Sequence, residues 1–418
     1  MEAHKRLTIG LFGFGVVGEG LYRILQQTPS LKASIKRVCV KHPDRARNAP
    51  SELFTTDRDL LLNDPEINVI VEVINESEAA WQIVSTALRN GKDVVSASKK
   101  MLSEHFPELL ALQEQTGRSL LYEASSCASI PVIRNLEEYY DNDLLHGIRG
   151  IVNGSTNFIL TRMFEDKLDF RSALILAQQL GFAESDPSLD VEGWDAVNKW
   201  SLLLAHAYGI IAHPKSILRN GIDHIHLADA AVGREKGLSI RLVAQAQKLQ
   251  NGKVAAFVMP QFVTQDDQLA FVRNEYNGVV IESGFADRQF FYGKGAGSFP
   301  TGSAVLSDIA ALRYQYRYEY KKKYHHTPLE LTEDFFLKAY VSMDNTIPLP
   351  KEHFETLEEW HSDAERKYLI GILPFSALRK GDWWHTMGTS LILMPDPIIE
   401  SMEIPRLKKL SLELAGIN

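Results

Sequence analysis

The sequence lacks most of the features that mark specialised classes of protein. Its 418 residues include only two cysteines, Cys39 and Cys127, whose separation fits neither a disulfide framework nor a metal-ligand spacing. The net charge is −8, whereas a nucleic-acid-binding protein normally presents a basic face. No apolar run reaches the ~18 residues that a membrane-spanning helix needs. These absences argue against a disulfide scaffold, a nucleic-acid partner and a membrane partner.

The length of the chain predicts two or three domains with substantial cores. Residues 1–6 are short and polar and lead straight into an apolar strand, so we expect no signal peptide. The low cysteine content agrees with a reducing compartment. We therefore expect a cytoplasmic protein.

A glycine motif follows the first predicted strand, residues 7–12, and precedes a predicted helix at 19–27. It comprises Gly13, Gly15 and Gly18, with Val16 and Val17 between the last two. In a strand-turn-helix context this G-x-G-x-x-G pattern predicts dinucleotide binding, since the glycines let a pyrophosphate approach the helix N-terminus. A glycine-rich turn that binds nothing is the alternative.

Strands and helices alternate through the first third of the chain. Apolar strands are predicted at 35–40, 68–74, 92–97 and 119–124, and helices at 78–90 and 107–116. This alternation predicts an α/β protein with a Rossmann-like doubly wound parallel sheet. Lys99 then follows the carboxyl end of a parallel strand, where ligands collect in such sheets.

The end of the second strand bears on cofactor choice. An NAD site usually has an acid here, whereas this chain has Lys41, with Arg45 and Arg47 close behind. Basic side chains can hold a 2′-phosphate, so NADP(H) is expected in preference to NAD(H). A solvated basic loop is an equally good interpretation.

Five carboxylates cluster within residues 181–199, ahead of a predicted helix at 194–208. Asp195 and Lys199 are one helical turn apart and share one face, so the lysine can act as a proton donor held beside an acid. The alternative is a helix start whose dipole favours acids, with a surface ion pair.

Three domains are predicted. Residues 1–135 form the dinucleotide-binding domain, to which a helix within 303–325 returns. Residues 136–302 form an α+β substrate-binding and dimerisation domain, with strands expected at 254–259, 269–272 and 278–281. Residues 330–418 form a small α+β module, with strands at 335–343, 368–374 and 390–394 and a helix near 351–363. The basic run 321–328 is expected to be a solvated linker.

Five short segments, in order, resemble homoserine dehydrogenase. They are the glycine motif at 13–18, residues 94–99 for the family's V-V-T-A-N-K, residues 150–160 for G-I-x-N-G-T-T-N-Y-I-L, residues 181–199 for G-Y-A-E-A-D-P-x-x-D-x-x-G-x-D-x-x-x-K, and residues 293–305 for its closing cofactor loop. The resemblance extends to about residue 325. Some members carry a regulatory ACT domain beyond this point, but the glycine-bearing turn of that module is not found in this sequence.

The resemblance implies NAD(P)-dependent interconversion of L-aspartate 4-semialdehyde and L-homoserine, in threonine, methionine and isoleucine biosynthesis, by a homodimer or higher homo-oligomer. Lys99 and Lys199 would flank the reacting oxygen, and Asp195 would orient Lys199. The remaining implied residues divide into a substrate set, Glu184, Asp190, Asn153, Gly154 and Ser155, and additions to the cofactor set, Ser96, Lys99 and Gly297.

The resemblance also implies a sodium-like site at Glu123, with main-chain oxygens of Ser126, Ala128 and Ile130. This chain departs from the family nearby, with Ser126-Cys127-Ala128-Ser129 where V-A-G-G is usual and Asn75-Glu76 where two glycines are usual. Two other functions stay open: an aldehyde-oxidising dehydrogenase with Cys127 as thiol nucleophile, and a dinucleotide-binding sensor that has lost catalysis.

Overall fold

The computed structural model describes residues 6–142, 144–324, 327–362 and 366–400. The described residues group into two compact units. Unit 1 comprises those within Met1–Leu144, Asn198–Ser216 and Phe291–Pro328, and unit 2 those within Leu145–Val197, Ile217–Phe290 and Leu329–Asn418. Among the described helices, none has the length and apolar character to cross a membrane.

Unit 1 contains a six-stranded sheet in which every neighbouring pair of strands is parallel, in the order β3-β2-β1-β4-β5-β6. The strands are β1 Leu7–Phe12, β2 Ala33–Cys39, β3 Phe54–Thr55, β4 Val69–Glu72, β5 Asp93–Ser96 and β6 Leu120–Leu121. The order reverses between β1 and β4, and this reversal creates the crevice in which doubly wound sheets bind ligands. The predicted Rossmann-like sheet is confirmed.

The helices up to residue 116 connect these strands, and a short helix at 132–134 follows the last of them. They are α1 Val16–Gln26, α2 Asp59–Leu62, α3 Ser77–Arg89, α4 Lys99–Glu104, α5 Phe106–Thr116 and α6 Val132–Arg134. Strand β4 is fully buried and β5 almost fully, as expected for central parallel strands that are covered on both faces.

Unit 2 is built on a mixed sheet of ten strands among the described residues, in the order β12-β11-β7-β9-β10-β16-β13-β15-β14, with β8 beside β10. The strands are β7 Leu145–Ile151, β8 Leu218–Arg219, β9 Leu238–Lys248, β10 Val254–Thr264, β11 Tyr276–Ser283, β12 Asp287–Lys294, β13 Phe336–Asp344, β14 Thr356–Ser362, β15 Arg366–Pro374 and β16 Thr389–Ile399. Strands β9 and β10 pair antiparallel over their whole length, and β10 meets β16 in parallel.

The remaining helices follow in chain order. They are α7 Gly154–Glu165, α8 Phe170–Gln179, α9 Ser188–Val191, α10 Trp194–Tyr208, α11 Leu227–Glu235, α12 Ser298–Leu312 and α13 Phe375–Arg379. Helix α12 packs on α1 in unit 1, where the Cβ of any side chain at Gly20 would lie 2.4 Å from the Ser298 carbonyl oxygen.

Strands β13 to β16 were expected to form a module of their own. In the structure they continue the sheet of unit 2 and share a core with β10: Phe257 and Met259 pack with Leu337, Val341 and Leu391. Independent folding of residues 330–418 therefore stays a prediction. The core that β13 to β16 share with β10 argues against it. Residues 401–418 lie outside the described part.

Two predicted elements in unit 2 are wrong. Residues 268–271 form a short 3-10 turn, not a strand, because the Asp267 carboxylate accepts a hydrogen bond from the Leu269 amide and starts the turn. Residues 356–362 form strand β14, not a helix, because they pair antiparallel with β15. Their glutamates favour helices in isolation, but sheet pairing overrides this weak preference.

The expected solvated linker is also wrong at one position. Lys322 is only 7% exposed, and its ammonium donates hydrogen bonds of 2.8 Å each to the carbonyl oxygens of Leu136 and His206. Burial lowers the pKa of Lys322 to about 8. The lysine therefore joins parts of the unit 1 core.

Candidate functional site

The glycine motif forms the turn from β1 into α1. Gly13 has φ +95°, and a Cβ there would lie 2.9 Å from the Val73 carbonyl oxygen. A Cβ at Gly18 would lie 2.3 Å from the Gly13 carbonyl oxygen, whereas nothing lies within 4 Å of a Cβ at Gly15. Gly15 caps α1 and Val16, its first residue, is 67% exposed, so the backbone of this helix start is open to a ligand.

The predicted closing loop is brought beside the glycine motif within unit 1. Gly297, with φ +119°, precedes α12. The hydroxyl of Ser298 donates a 2.8 Å hydrogen bond to the Val16 carbonyl oxygen, across 282 residues of sequence. Val17 follows on the first turn of α1. The fold thus assembles the motif and the loop at one end of α1.

The basic residues after β2 divide into two kinds. Lys41 and Arg45 are exposed. Arg47 instead holds its own loop together, donating hydrogen bonds to the carbonyl oxygens of His42 at 2.7 Å and Arg45 at 2.8 Å. Its guanidinium also lies 4.9 Å from the centre of the Phe54 ring. Lys41 and Arg45 are therefore more accessible to a ligand phosphate than Arg47.

Lys99 is the first residue of α4, three residues after β5 ends at Ser96. The preceding Ser96 is fully buried, and its hydroxyl donates a 2.5 Å hydrogen bond to the carboxyl group of Glu72, at the end of β4. Glu72 belongs to none of the sequence motifs described above. A charged residue within an otherwise apolar strand was the signal that could have identified it.

In unit 2, Asn153 links two of the predicted acids. Its amide nitrogen donates to the Asp190 carboxylate at 2.7 Å and to the Asp195 carboxylate at 2.8 Å. Its amide oxygen accepts from the Thr156 backbone N–H at 2.8 Å, which caps α7. Asp190 and Asp195, which follow Asn153 by 37 and 42 positions in the sequence, are thereby joined with it into one cluster at the start of α7.

The other predicted substrate residues lie near this cluster in sequence but differ in environment. Ser155 donates from its hydroxyl to the Phe182 carbonyl oxygen at 2.6 Å. Gly154 is sterically required, because a Cβ would lie 2.5 Å from the Glu275 carbonyl oxygen. The Glu184 side chain is exposed.

Helix α10 spans the predicted residues 194–208 and carries both Asp195 and Lys199. Each of these charged side chains is only 7% exposed. Their burial contradicts the alternative of a surface ion pair.

Arg219, at the end of β8, was missed by the sequence analysis because it belongs to none of the motifs. It donates a 2.5 Å hydrogen bond to the Glu192 carbonyl oxygen, and its guanidinium lies 3.6 Å from the centre of the Trp194 ring. The Ile222 amide donates to the Val191 carbonyl oxygen at 2.7 Å. Residues 219–222 thus hold the segment that joins Asp190 to Asp195.

Glu123 is buried in unit 1. Its two carboxylate oxygens accept hydrogen bonds from the backbone amides of Ile133 at 2.8 Å and Arg134 at 2.9 Å. Burial, with the nearby Asp308 carboxylate second, raises the pKa of Glu123 to about 7. Burial also raises the pKa of Asp308 to about 6, against the effect of its 2.6 Å ion pair with Arg134.

The loop after Glu123 provides oxygen atoms for the predicted cation. The hydroxyl of Ser126 is buried without a hydrogen-bond partner among the described residues. Ala128 has φ +44°, and the Ile130 carbonyl oxygen accepts from the Val132 amide at 2.9 Å. A buried carboxyl group and an unpartnered hydroxyl fit a monovalent cation with oxygen ligands. Among the described residues no group of three or more His, Cys, Asp or Glu side chains is arranged for a metal ion.

The chain matches two family models and several curated relatives. The model for homoserine dehydrogenase matches residues 131–310, and that for the homoserine dehydrogenase NAD-binding domain matches residues 13–123. Homoserine dehydrogenase from Bacillus subtilis (strain 168) is 35% identical over 317 residues, which cover 74% of this chain and 73% of the relative. The chain belongs to the homoserine dehydrogenase family. Homoserine dehydrogenase from Synechocystis is 37% identical over 72% of each chain.

Solved structures of homoserine dehydrogenases are similar to this chain. A homoserine dehydrogenase from Thiobacillus denitrificans has a TM-score of 0.81 at 25% identity, and the match covers 94% of this chain and 99% of the other. A hyperthermophilic archaeal homoserine dehydrogenase in complex with NADPH has a TM-score of 0.64 at 26% identity and covers 75% of this chain and 99% of the other. The family models end at residue 310, so β13 to β16 lie outside both.

The family defines the activity: an oxidoreductase that acts on a CH–OH group with NAD(P) and interconverts L-homoserine and L-aspartate 4-semialdehyde, a step of amino-acid biosynthesis. The predicted family and function are confirmed. The alternative with Cys127 as nucleophile loses support, because this thiol is fully buried.

Proposed function

We propose that this homoserine dehydrogenase carries out its reaction with Lys199 and Lys99 beside the reacting oxygen and Asp195 orienting Lys199. The observation that carries the proposal is the cluster at the start of α7, in which Asn153 holds both Asp190 and Asp195. Lys199 follows Asp195 by one turn of α10 and is as deeply buried. The two hydrogen bonds from Asn153 therefore support an orienting role for Asp195.

The lysines have a definite chemical task. NAD(P)H, when bound, supplies the hydride that reduces the aldehyde carbon. The aldehyde oxygen then gains negative charge, which a neighbouring ammonium group stabilises before giving up a proton. In the reverse direction the neutral lysine takes the proton from the homoserine hydroxyl. Asp195 stabilises the ammonium form through both directions.

The substrate carries an ammonium group that needs anionic partners. We assign Asp190 and Glu184 to this group, with Asn153, Gly154 and Ser155 contributing to the same binding site. Asp190 is held by the Asn153 amide at 2.7 Å, which orients its carboxylate. Glu184 is exposed, so its contact would form only when substrate binds.

The cofactor is proposed to be NADP(H) in preference to NAD(H). Its pyrophosphate would lie on Gly13, Gly15, Val16, Val17 and Gly18. The support for the preference is the exposed pair Lys41 and Arg45, with Arg47 keeping their loop in place. The archaeal relative was solved with NADPH. Ser96, Lys99 and Gly297 would complete the cofactor site.

A monovalent cation such as sodium would be held by Glu123 and the main-chain oxygens of Ser126, Ala128 and Ile130. A cation there would favour the ionised carboxylate, which burial otherwise disfavours. Its contribution would be to fix the loop between β6 and α6.

We further expect a homodimer or higher oligomer in the cytoplasm. Support for the oligomer comes from apolar side chains exposed in unit 2, where Phe285, in the turn before β12, is 89% exposed and Phe290, in the edge strand β12, is 36% exposed. Sedimentation velocity of the full chain tests this, and a monomer at micromolar concentration would contradict it.

The central test is steady-state oxidation of NADPH by the full chain with L-aspartate 4-semialdehyde. Lys199→Ala, Lys99→Ala and Asp195→Ala should each lower kcat at least about 100-fold, the low end for an acid-base group. Lys215→Ala, an exposed lysine of unit 1, is the matched control and should keep wild-type kcat. Near wild-type turnover in Lys199→Ala would reject the assignment. Cys127→Ser should stay active, and its loss of all activity would revive the thiol mechanism.

A further inference from the structure

Glu72 is a buried titratable residue that the reaction described above does not use. It ends β4, whose other residues, Val69, Ile70 and Val71, are apolar, and it is 0% exposed. Burial raises its pKa to about 7, against two hydrogen bonds that lower it. A buried ionisable group is costly unless it serves the structure or the chemistry.

On one side Glu72 holds the segment that leads to Lys99. The Ser96 hydroxyl donates to one carboxyl oxygen of Glu72 at 2.5 Å, and the Ala97 amide donates to the Glu72 carbonyl oxygen at 3.0 Å. The Ser98 amide then donates to the Ser96 hydroxyl oxygen at 3.1 Å. Each residue between β5 and Lys99 is therefore fixed, directly or through Ser96, to Glu72.

On its other side Glu72 holds the loop that follows β4. Its second carboxyl oxygen accepts from the Ile74 amide at 2.7 Å. The Val73 carbonyl oxygen and the Ile74 side chain are the atoms that any side chain at Gly13 would meet, at 2.9 and 3.1 Å. One carboxyl group thus connects the glycine motif, through this loop, to the start of α4.

The hydrogen-bond pattern depends on the charge of Glu72. The ionised carboxylate accepts from both Ser96 and Ile74. The protonated form donates its own hydrogen to Ser96, whose oxygen then accepts from Glu72 and Ser98 together while the serine hydrogen turns elsewhere. The groups facing the carboxyl are thus a hydroxyl from β5 and an amide from the next loop, neither of which titrates near neutral pH. Lys99 is the charged residue whose placement depends on them.

We propose that Glu72 is a positioning residue for the dehydrogenase reaction: through Ser96 it fixes the turn that presents Lys99, and through Ile74 it fixes the loop against the glycine motif. The inference rests on the proposed role of Lys99. A purely structural buried glutamate would affect folding alone. A positioning residue also changes kcat in folded enzyme, because small displacements of a catalytic group are costly.

The test uses the full chain and four single variants. Glu72→Gln keeps the shape of the side chain and removes its charge. Ser96→Ala removes the same contact from the other partner. Glu78→Gln, at an exposed glutamate on α3, makes the same charge change and should leave kcat and its pH profile unchanged. Lys99→Ala tests the proposed function separately.

We expect Glu72→Gln and Ser96→Ala to lower kcat by about 10-fold or more at pH 8, with smaller changes in the KM for NADPH. We expect an inflection of the wild-type kcat profile near pH 7 that disappears in Glu72→Gln and moves to higher pH in Ser96→Ala, because the hydrogen bond from Ser96 that is lost there lowers the pKa of Glu72. The double variant should be no slower than the slower single variant, because both changes break one contact.

Three results would overturn the inference. They are wild-type kcat and pH profile in folded Glu72→Gln, losses that multiply in the double variant, and, if Glu72→Gln fails to fold, a wild-type profile in Ser96→Ala. Should Lys99→Ala remain fully active, the proposed function fails first. An inactive Lys99→Ala beside an unaltered Glu72→Gln would reject only the role of Glu72.

Discussion

Replacing Asn153 by alanine should destabilise unit 2 far more than the loss of an ordinary helix cap. The side chain makes one cap bond to Thr156 and donates two hydrogen bonds to carboxylates, of Asp190 and Asp195. Hydrogen bonds to charged groups contribute about 1.5–3 kcal/mol each and a cap about 1 kcal/mol. Asn153 and Asp195 are buried, so water replaces these bonds poorly. Together these contributions predict that Asn153→Ala lowers the free energy of unfolding by at most about 4–7 kcal/mol.

The assay is thermal unfolding followed by far-UV circular dichroism. A loss near 4 kcal/mol corresponds to a fall in Tm of roughly 8 °C or more for a unit of this size. Asp169→Ala is the matched control, because Asp169 caps α8 through the Ser172 amide at 2.9 Å but is exposed. Its Tm should fall much less. Equal falls for the two variants would refute the reasoning that the carboxylate contacts of Asn153 stabilise the cluster.

Asn153→Asp provides a second arm of this prediction. It replaces the donor by a third carboxylate facing Asp190 and Asp195, and like charges at this distance raise the pKa of at least one of them. The Tm of this variant should lie below that of Asn153→Ala at pH 8. It should recover relative to Asn153→Ala as the pH falls and one carboxylate takes up a proton. A pH-independent difference between the two would contradict the argument.

Three further outcomes are expected. Lys41→Ala should weaken the binding of NADPH about 10-fold and change the binding of NADH little, since one charge-assisted contact is lost. The measurement is the Kd of each cofactor for wild type and variant at fixed salt. Equal losses of affinity for the two cofactors would mean that Lys41 only supports its loop. A chain ending at Tyr324 should be insoluble, because Phe257 and Met259 lose the core they share with β13 and β16; a soluble, active truncation would show that the last strands fold separately. The raised pKa of Glu123, about 7, lies above the ~4.3 of an unfolded chain, so the stability that its proton contributes is fully present below about pH 4 and is lost as the pH rises through 7. Relative to wild type, Glu123→Gln should therefore gain about 3 kcal/mol between pH 4 and 8 in urea unfolding in buffer without sodium or potassium, and parallel pH curves would contradict this.

The parts of the fold that the sequence predicted well are those with a strong period. Helix α10 has the predicted bounds, Trp194–Tyr208, and the parallel strands follow the continuous apolar runs. Strand β14 was missed because its pattern of acids and apolar residues suits a helix until β15 pairs with it. The bridge between β10 and β16 joins residues more than a hundred positions apart, and no local pattern indicates it.

The candidate site was predictable where several residues stand in a spaced motif. Asn153, Asp190 and Asp195 come from two such motifs, and the structure joins them although the sequence alone gives no distance between them. Arg219 could not be found this way. Its importance comes from the ring of Trp194 and the carbonyl of Glu192, which the fold brings to it from another segment.

The burial of a charged side chain is easier to predict from sequence at some positions than at others, as Glu72 and Lys322 show. Both are buried ionisable residues bonded mainly through neighbouring polar groups of the main chain or a hydroxyl. Glu72 interrupts an apolar strand, so its context already indicates burial. Lys322 stands in a run of three lysines, where composition favours solvent and only the carbonyls of Leu136 and His206 reveal the opposite. A charge is therefore informative in a sequence to the extent that its neighbours are apolar, and a buried charge among other charges becomes visible only in the fold.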